Sequence, residues 1–143
     1  MGKPAKVVSK YSAGVAILYG SSILLAKRCE FCNITGKKVS FPGYWSIFAG
    51  AMDEGESSKE CASRELFEET QISIDPNDLE FISTKKNAHG VLDIYSFNAD
   101  TLLVPKLNFE HTQFGWFNIN ELDSFSDKID LELMQLIIDH KYK

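Results

Sequence analysis

Two unbroken apolar runs, at 13–19 and 23–27, flank the small polar triplet Gly20-Ser21-Ser22. Short continuous runs of this kind read as strands buried on both faces, here joined by a tight turn. The next stretch, 29–43 (CEFCNITGKKVSFPG), mixes Gly, Pro, Asn and Lys and reads as a long loop, a feature often functional in compact domains. Residues 44–49 predict one short strand. No Pro or Gly interrupts 57–72, which is rich in helix formers and has Ser57 and Ser58 as candidate N-caps. Residues 79–86 and 91–98 are strand-like, with Asn87-Ala88-His89-Gly90 as their hairpin connection. A loop around Pro105 (100–111), a short aromatic strand (112–117) and a single helical turn (119–122) follow. From Asp127 onward Ile129, Leu133, Leu136 and Ile137 fall at i, i+4, i+7 and i+8, the pattern of an amphipathic closing helix. Residues 1–10 read as a loose tail. The order β-β-β-α-β-β-β-α predicts an α/β fold with helices on both sides of a mixed sheet, in a single domain over 1–143.

Composition narrows the class. A chain of 143 residues, 44% hydrophobic and 24% charged, is long enough to bury its own core. No apolar run approaches the roughly 18 residues of a membrane span, and the basic start leads only into a short, broken apolar run, so no secretory signal is expected. Three cysteines, an odd number, argue against a disulfide framework and for a reducing, cytoplasmic setting. The formal charge of −5 argues against nucleic acid polymers as partners. A small phosphorylated substrate fits if a metal ion supplies positive charge.

The acidity is concentrated at 50–72 (GAMDEGESSKECASRELFEETQI), which carries seven acidic residues. At about 3.6 residues per turn, Glu65, Glu68 and Glu69 share one arc of the helix, with Ala62 and Leu66 beside it as the packing stripe. Acidic runs of good helix formers are ordinarily solvated faces. Like charges one turn apart, however, repel by a few tenths of a kcal/mol per pair, and this crowding suits a hard dication such as Mg²⁺.

The stretch resembles the Nudix box: Gly, five residues, Glu, seven residues, then Arg-Glu-U-x-Glu-Glu-x-Gly-U, with U a bulky aliphatic. Gly50, Glu56, Arg64, Glu65, Leu66, Glu68, Glu69 and Ile72 match; Gln71 stands where the family has Gly. The resemblance implies an α/β/α sandwich around a mixed sheet and cleavage of a nucleoside diphosphate linked to another moiety, with Mg²⁺ or Mn²⁺. It implies Glu65 and Glu69 as metal ligands, Glu68 as a further ligand or water-positioning group, and the Ala49 carbonyl as the non-carboxylate ligand. Arg64 is expected to pair with box carboxylates, and Glu56 to tie the loop to the helix and reach a second ion. The general base resembles either Glu65 or a later carboxylate, for which Glu110 is the candidate. Gln71 is expected to alter the helix end and spare the chemistry.

Around the box, Phe41, Tyr44 and Trp45 are candidates to stack a base, Trp45 being more typical of core, and Lys37 and Lys38 to meet phosphates. Cys29-x-x-Cys32 has half the spacing of a zinc site but lacks further ligands. His89, His111 and His140 read as surface or capping residues. Phe67, opposite the packing stripe, needs cover from the chain's end or from a partner subunit in a homodimer. The substrate classes implied are ADP-ribose-like compounds, dinucleoside polyphosphates and dinucleotide cofactors. A mutator-type triphosphate pyrophosphatase and a catalytically silent nucleotide-binding module are the alternatives.

Overall fold

The computed structural model describes residues 11–29, 42–88, 90–125 and 127–143. Its long first strand, β1 (Tyr11–Tyr19), turns back through Gly20 into β2 (Ser22–Arg28), but the two pair only near the turn, at Leu18↔Ile23 and Tyr19↔Ser22. Beyond that they splay, and residues 45–51 fill the gap. β3 (Trp45–Ser46) pairs with β2, and β4 (Phe48–Ala51) pairs antiparallel with β1 from Ser12↔Ala51 to Val15↔Phe48. The single strand expected at 44–49 is thus two, broken at Ile47 where the chain changes partner. Gly14 lies opposite Ala49 in this ladder, and a Cβ there would meet the Ala49 Cβ at 2.6 Å.

The helix α1 (Ser58–Thr70) follows. Ser57 caps it: its hydroxyl accepts the Glu60 N–H while the Glu60 carboxylate accepts the Ser57 N–H, a reciprocal box that satisfies two otherwise orphaned donors. Contrary to expectation, Gln71 does not alter the helix end: it takes up the left-handed conformation of the glycine position, at φ 65°, its N–H donating to Phe67 O. After a 3₁₀ turn at Pro76–Asp78 come β5 (Glu80–Asn87) and β6 (Gly90–Asn98), joined by the expected hairpin. β6 runs parallel to β1 along its length, so the sheet is mixed. β7 (His111–Asn118) pairs with β2, and a 3₁₀ turn at Ile119–Ser124 leads to α2 (Leu131–Lys141). The closing helix starts later than the apolar repeat predicts, because Ile129 bridges to Trp45 ahead of the Asp130 cap.

Alternation along β1 places the two cores. Ala13, Val15 and Ile17 face α1 with Ala62 and Leu66, whereas Ala16 and Leu18 face Ile119, Leu122 and the Leu133, Met134 and Ile137 stripe of α2. With helices on both faces, the fold is the α/β/α sandwich. α2 lies across the sheet from α1 and does not cover Phe67, which stays 43% exposed.

Candidate active site

Of the acidic arc of α1, Glu65 and Glu69 face inward, toward β4 and the 106–110 segment, while Glu68 lies at the exposed rim. Cys61, Ala62 and Leu66 are fully buried and seat the helix on the sheet, and the Cys61 thiol donates to Gly50 O at 3.4 Å. Burial, with Glu56 adding to it, pushes that thiol up to about 12, so it stays protonated. Gly50 has its own reason to be glycine: a Cβ would sit 2.0 Å from the Glu65 carboxyl carbon, so the bare backbone lets Glu65 lie flat against β4.

Arg64 organises the charges. Its Nε and Nη2 donate to the two Glu56 oxygens at 2.6 and 2.9 Å, its Nη1 to Glu65 at 2.8 Å and Glu68 at 3.2 Å, and Nη2 also to Ala51 O at 3.0 Å. The Arg64 bond holds the Glu56 carboxyl below its usual range against the opposing effect of burial. Glu56 also accepts the Asp53 N–H, which ties the 52–57 loop to the helix.

Glu69 is the exception. It is fully buried, and among the described residues no donor reaches either carboxylate oxygen, while the Glu65 carboxyl lies within hydrogen-bonding reach and could share a proton with it. Burial above all, then the neighbouring Glu65 and the charge of Glu110, raises its pKa well above the carboxylate range. Among the described residues no three acidic, His or Cys side chains converge as a ready-made metal cage. Three of the box carboxylates instead turn toward Arg64.

Past the box, a cavity of about 710 Å³ opens on the α2 side of β4, with Arg28, Tyr44, Ala49, Gly50, Lys85 and Glu110 in its wall. Glu110 belongs to both regions, lining the cavity and acting on Glu69. Tyr44 is half-buried in the wall; Trp45 also touches the cavity but is chiefly core, edge-on to Phe117 and Phe125, with its indole N–H on Asp127. Phe41, Lys37, Lys38, Cys32 and His89 lie outside the described residues. His111 is no surface residue. It is buried edge-on to Phe48, both ring nitrogens lack partners among the described residues, and burial, with Arg28 adding to it, lowers its pKa to about 4. His140 pairs with Glu80 across α2 and β5.

Three residues escaped the reading of the sequence: Arg28, Lys85 and Asn108. The two cations stand on strands whose patterns signal only burial, so their place on one wall emerges from strand pairing. Lys85 is held by Asp130 and Glu132, which outweigh burial and raise its pKa.

The family model for the NUDIX domain matches residues 9–137. The chain belongs to the Nudix family. This Nudix chain is 28% identical over 86 residues to the oxidized purine nucleoside triphosphate hydrolase of Mus musculus, a match covering 56% of this chain and 53% of that protein. It is 28% identical over 111 residues to the NAD-capped RNA hydrolase NudC of Pseudomonas syringae pv. tomato, covering 76% of this chain and 36% of that protein. The chain therefore spans only about half or less of these curated relatives. Among solved structures it resembles the NUDIX domain of Shewanella oneidensis NrtR complexed with ADP ribose (TM-score 0.71, 18% identity, 96% of this chain and 92% of that one). It also resembles an Ap4A hydrolase binary complex from C. elegans (TM-score 0.69, 20% identity, 92% and 96%). At these identities the structural likeness speaks for the fold. No helix among the described residues is long and apolar enough to cross a membrane.

Proposed function

We propose that this Nudix chain is a metal-dependent pyrophosphohydrolase cleaving a nucleoside diphosphate linked to another moiety, of the ADP-ribose-like, dinucleoside polyphosphate or dinucleotide cofactor class. The observation that carries this reading is Glu69, a wholly buried carboxyl crowded by Glu65 and Glu110 and held protonated by that setting. Ionising it there costs several kcal/mol, a cost that a bound cation would remove. The donors are all oxygen, which suits Mg²⁺ or Mn²⁺. Glu65, Glu68 and Glu69 would hold it with the Ala49 carbonyl; Glu56, engaged by Arg64, would reach a second ion only by changing partners. Bound there, the ion would neutralise charge on the anhydride and acidify a water.

The chain's own groups do the remainder. Arg64 keeps Glu65 and Glu68 in fixed rotamers. Glu110, on the cavity wall and outside the Arg64 network, takes the proton of the attacking water, a role for which Glu65 is the alternative. Arg28 and Lys85 offer positive charge to substrate phosphates, and Tyr44 offers a ring to the base. The test is the purified chain with Mg²⁺ or Mn²⁺ against a broad nucleotide panel, with the products identified. Release of a mononucleotide from a linked diphosphate is expected; absence of any mononucleotide or pyrophosphate overturns the reading. Release of pyrophosphate from a triphosphate would instead support the mutator-type reading, which the mouse relative favours. Retention of Glu56, Arg64, Glu65, Glu68 and Glu69 speaks against a silent binding module, whose sign would be tight metal-free nucleotide binding without turnover.

A further inference from the structure

The connection from β6 to β7 crosses the C-terminal end of α1, where helix carbonyls lack intrahelical donors. Lys106 N–H donates to Thr70 O at 2.8 Å and Asn108 N–H to Glu69 O at 3.3 Å. The Asn108 side chain goes further. Its Nδ2 reaches Glu68 O at 3.4 Å and Glu110 Oε1 at 3.3 Å, while its Oδ1 accepts the Glu110 N–H at 3.0 Å. The other Glu110 oxygen lies 4.0 Å from Arg28 Nη2. One amide therefore touches the last turn of α1 and both the backbone and the carboxylate of Glu110.

We propose that Asn108 is a positioning residue of the active site, whose side-chain amide sets the Glu110 carboxylate in its place between Glu69 and the substrate cavity. The inference rests on the functional reading above. The chemistry asks for an amide: the same short side chain must accept from one N–H and donate to two oxygens. Asp is nearly isosteric and keeps the acceptor, so the local Asx turn survives. It replaces the donor with an anionic oxygen facing a carbonyl and a carboxylate, and so drives Glu110 away. If Asn108 served only the turn, Asp would be tolerated and Ala would not.

The experiment compares the wild-type chain with Asn108→Asp, Asn108→Ala, Glu110→Gln and the Asn108→Asp/Glu110→Gln pair. It reads thermal midpoints, the dissociation constant for Mn²⁺ alone by calorimetric titration, and kcat and KM separately. Asn108→Asp is expected to hold its midpoint while Mn²⁺ affinity and kcat each fall about tenfold, the scale on which supporting partners of metal sites commonly act, because a displaced Glu110 withdraws its negative charge from beside Glu69, where the ion would sit; KM should be little changed. In the Glu110→Gln background the Asp substitution should add less than about twofold, because the group it acts through has lost its charge. Wild-type Mn²⁺ affinity and kcat in Asn108→Asp, or full multiplication of the two effects, would overturn the proposal. Should Asp disturb the fold, Asn108→Ser, uncharged and too short to reach Glu110, is expected to show the same losses, and unaltered values there would count against it equally. A wild-type chain that binds Mn²⁺ and hydrolyses nothing would sink the functional reading, while the titration would still decide the place of Asn108.

Discussion

Arg64 shows how much one side chain carries. Its fork meets Glu56 twice, Glu65 and Glu68 once each, and a backbone carbonyl. An ammonium has neither the reach nor the planarity for this. Arg64→Lys is expected to lower kcat at least tenfold and stability by about 2 kcal/mol, read by chemical denaturation and steady-state kinetics. This pairing was legible, because box spacing fixes which residues share the helix face. The burial of His111 was not: a lone histidine at a strand start has no periodic signature, and its cover comes from Phe48 on a strand remote in sequence. Its depressed pKa has a definite sign. Between the ordinary value of 6.5 and about 4, the unfolded chain binds the proton and the folded chain does not. The stabilisation is therefore complete above 6.5 and is lost as the pH falls toward 4. His111→Phe, which keeps the ring contact, is expected to remove that part of the acid destabilisation, on the order of 2 kcal/mol, seen as a flatter unfolding free energy against pH. The slope that remains would include Glu56, whose lowered pKa acts in the same direction.

At the scale of elements, the C-terminal end of α1 and the face it turns to β4 differ in what they tolerate. Gln71 occupies a left-handed site without the glycine that suits it. Gln71→Gly is expected to stabilise by about 1 kcal/mol with kcat within about twofold. At the sheet side, Gly50→Ala would force its methyl into the Glu65 carboxyl, the movable end of a side chain. The fold is expected to survive, and kcat to fall about a hundredfold through misplacement of Glu65, on the scale that small misplacements near chemistry can cost. Equal stability with equal activity would contradict that assignment. The capping sequence Ser57 to Glu60, the hairpin and the apolar stripe of α1 could all be read from local pattern. The break at Ile47 could not, because an apolar-aromatic run looks alike whether it serves one partner or two. Ile129 fits the helical repeat, yet its neighbours place it in a bridge. Asn108 sits in a stretch without periodicity, and besides Glu110, two residues on, its partners are carbonyls at a helix end far back in the chain.

Across the whole molecule, the crowded carboxylates make stability depend on cations. A chain carrying net −5 concentrates that charge around a buried Glu69, so Mn²⁺ that binds only the folded form should raise the melting midpoint. At a hundredfold excess over its dissociation constant the gain is about 2.7 kcal/mol. Chelator should reverse it, and Glu69→Gln should abolish the shift while making the metal-free protein no less stable, since it replaces a buried, protonated carboxyl with a neutral amide of nearly the same shape. The stitch at 45–51 has a further consequence. The Ala49–Gly50 backbone lies in the segment that joins the β2 half of the sheet to the β1 half, so detaching it leaves the two halves paired only beside their turn, at Leu18↔Ile23 and Tyr19↔Ser22. Local opening of that backbone then costs nearly as much as global unfolding, and its amides are expected to exchange with solvent as slowly as those of β1.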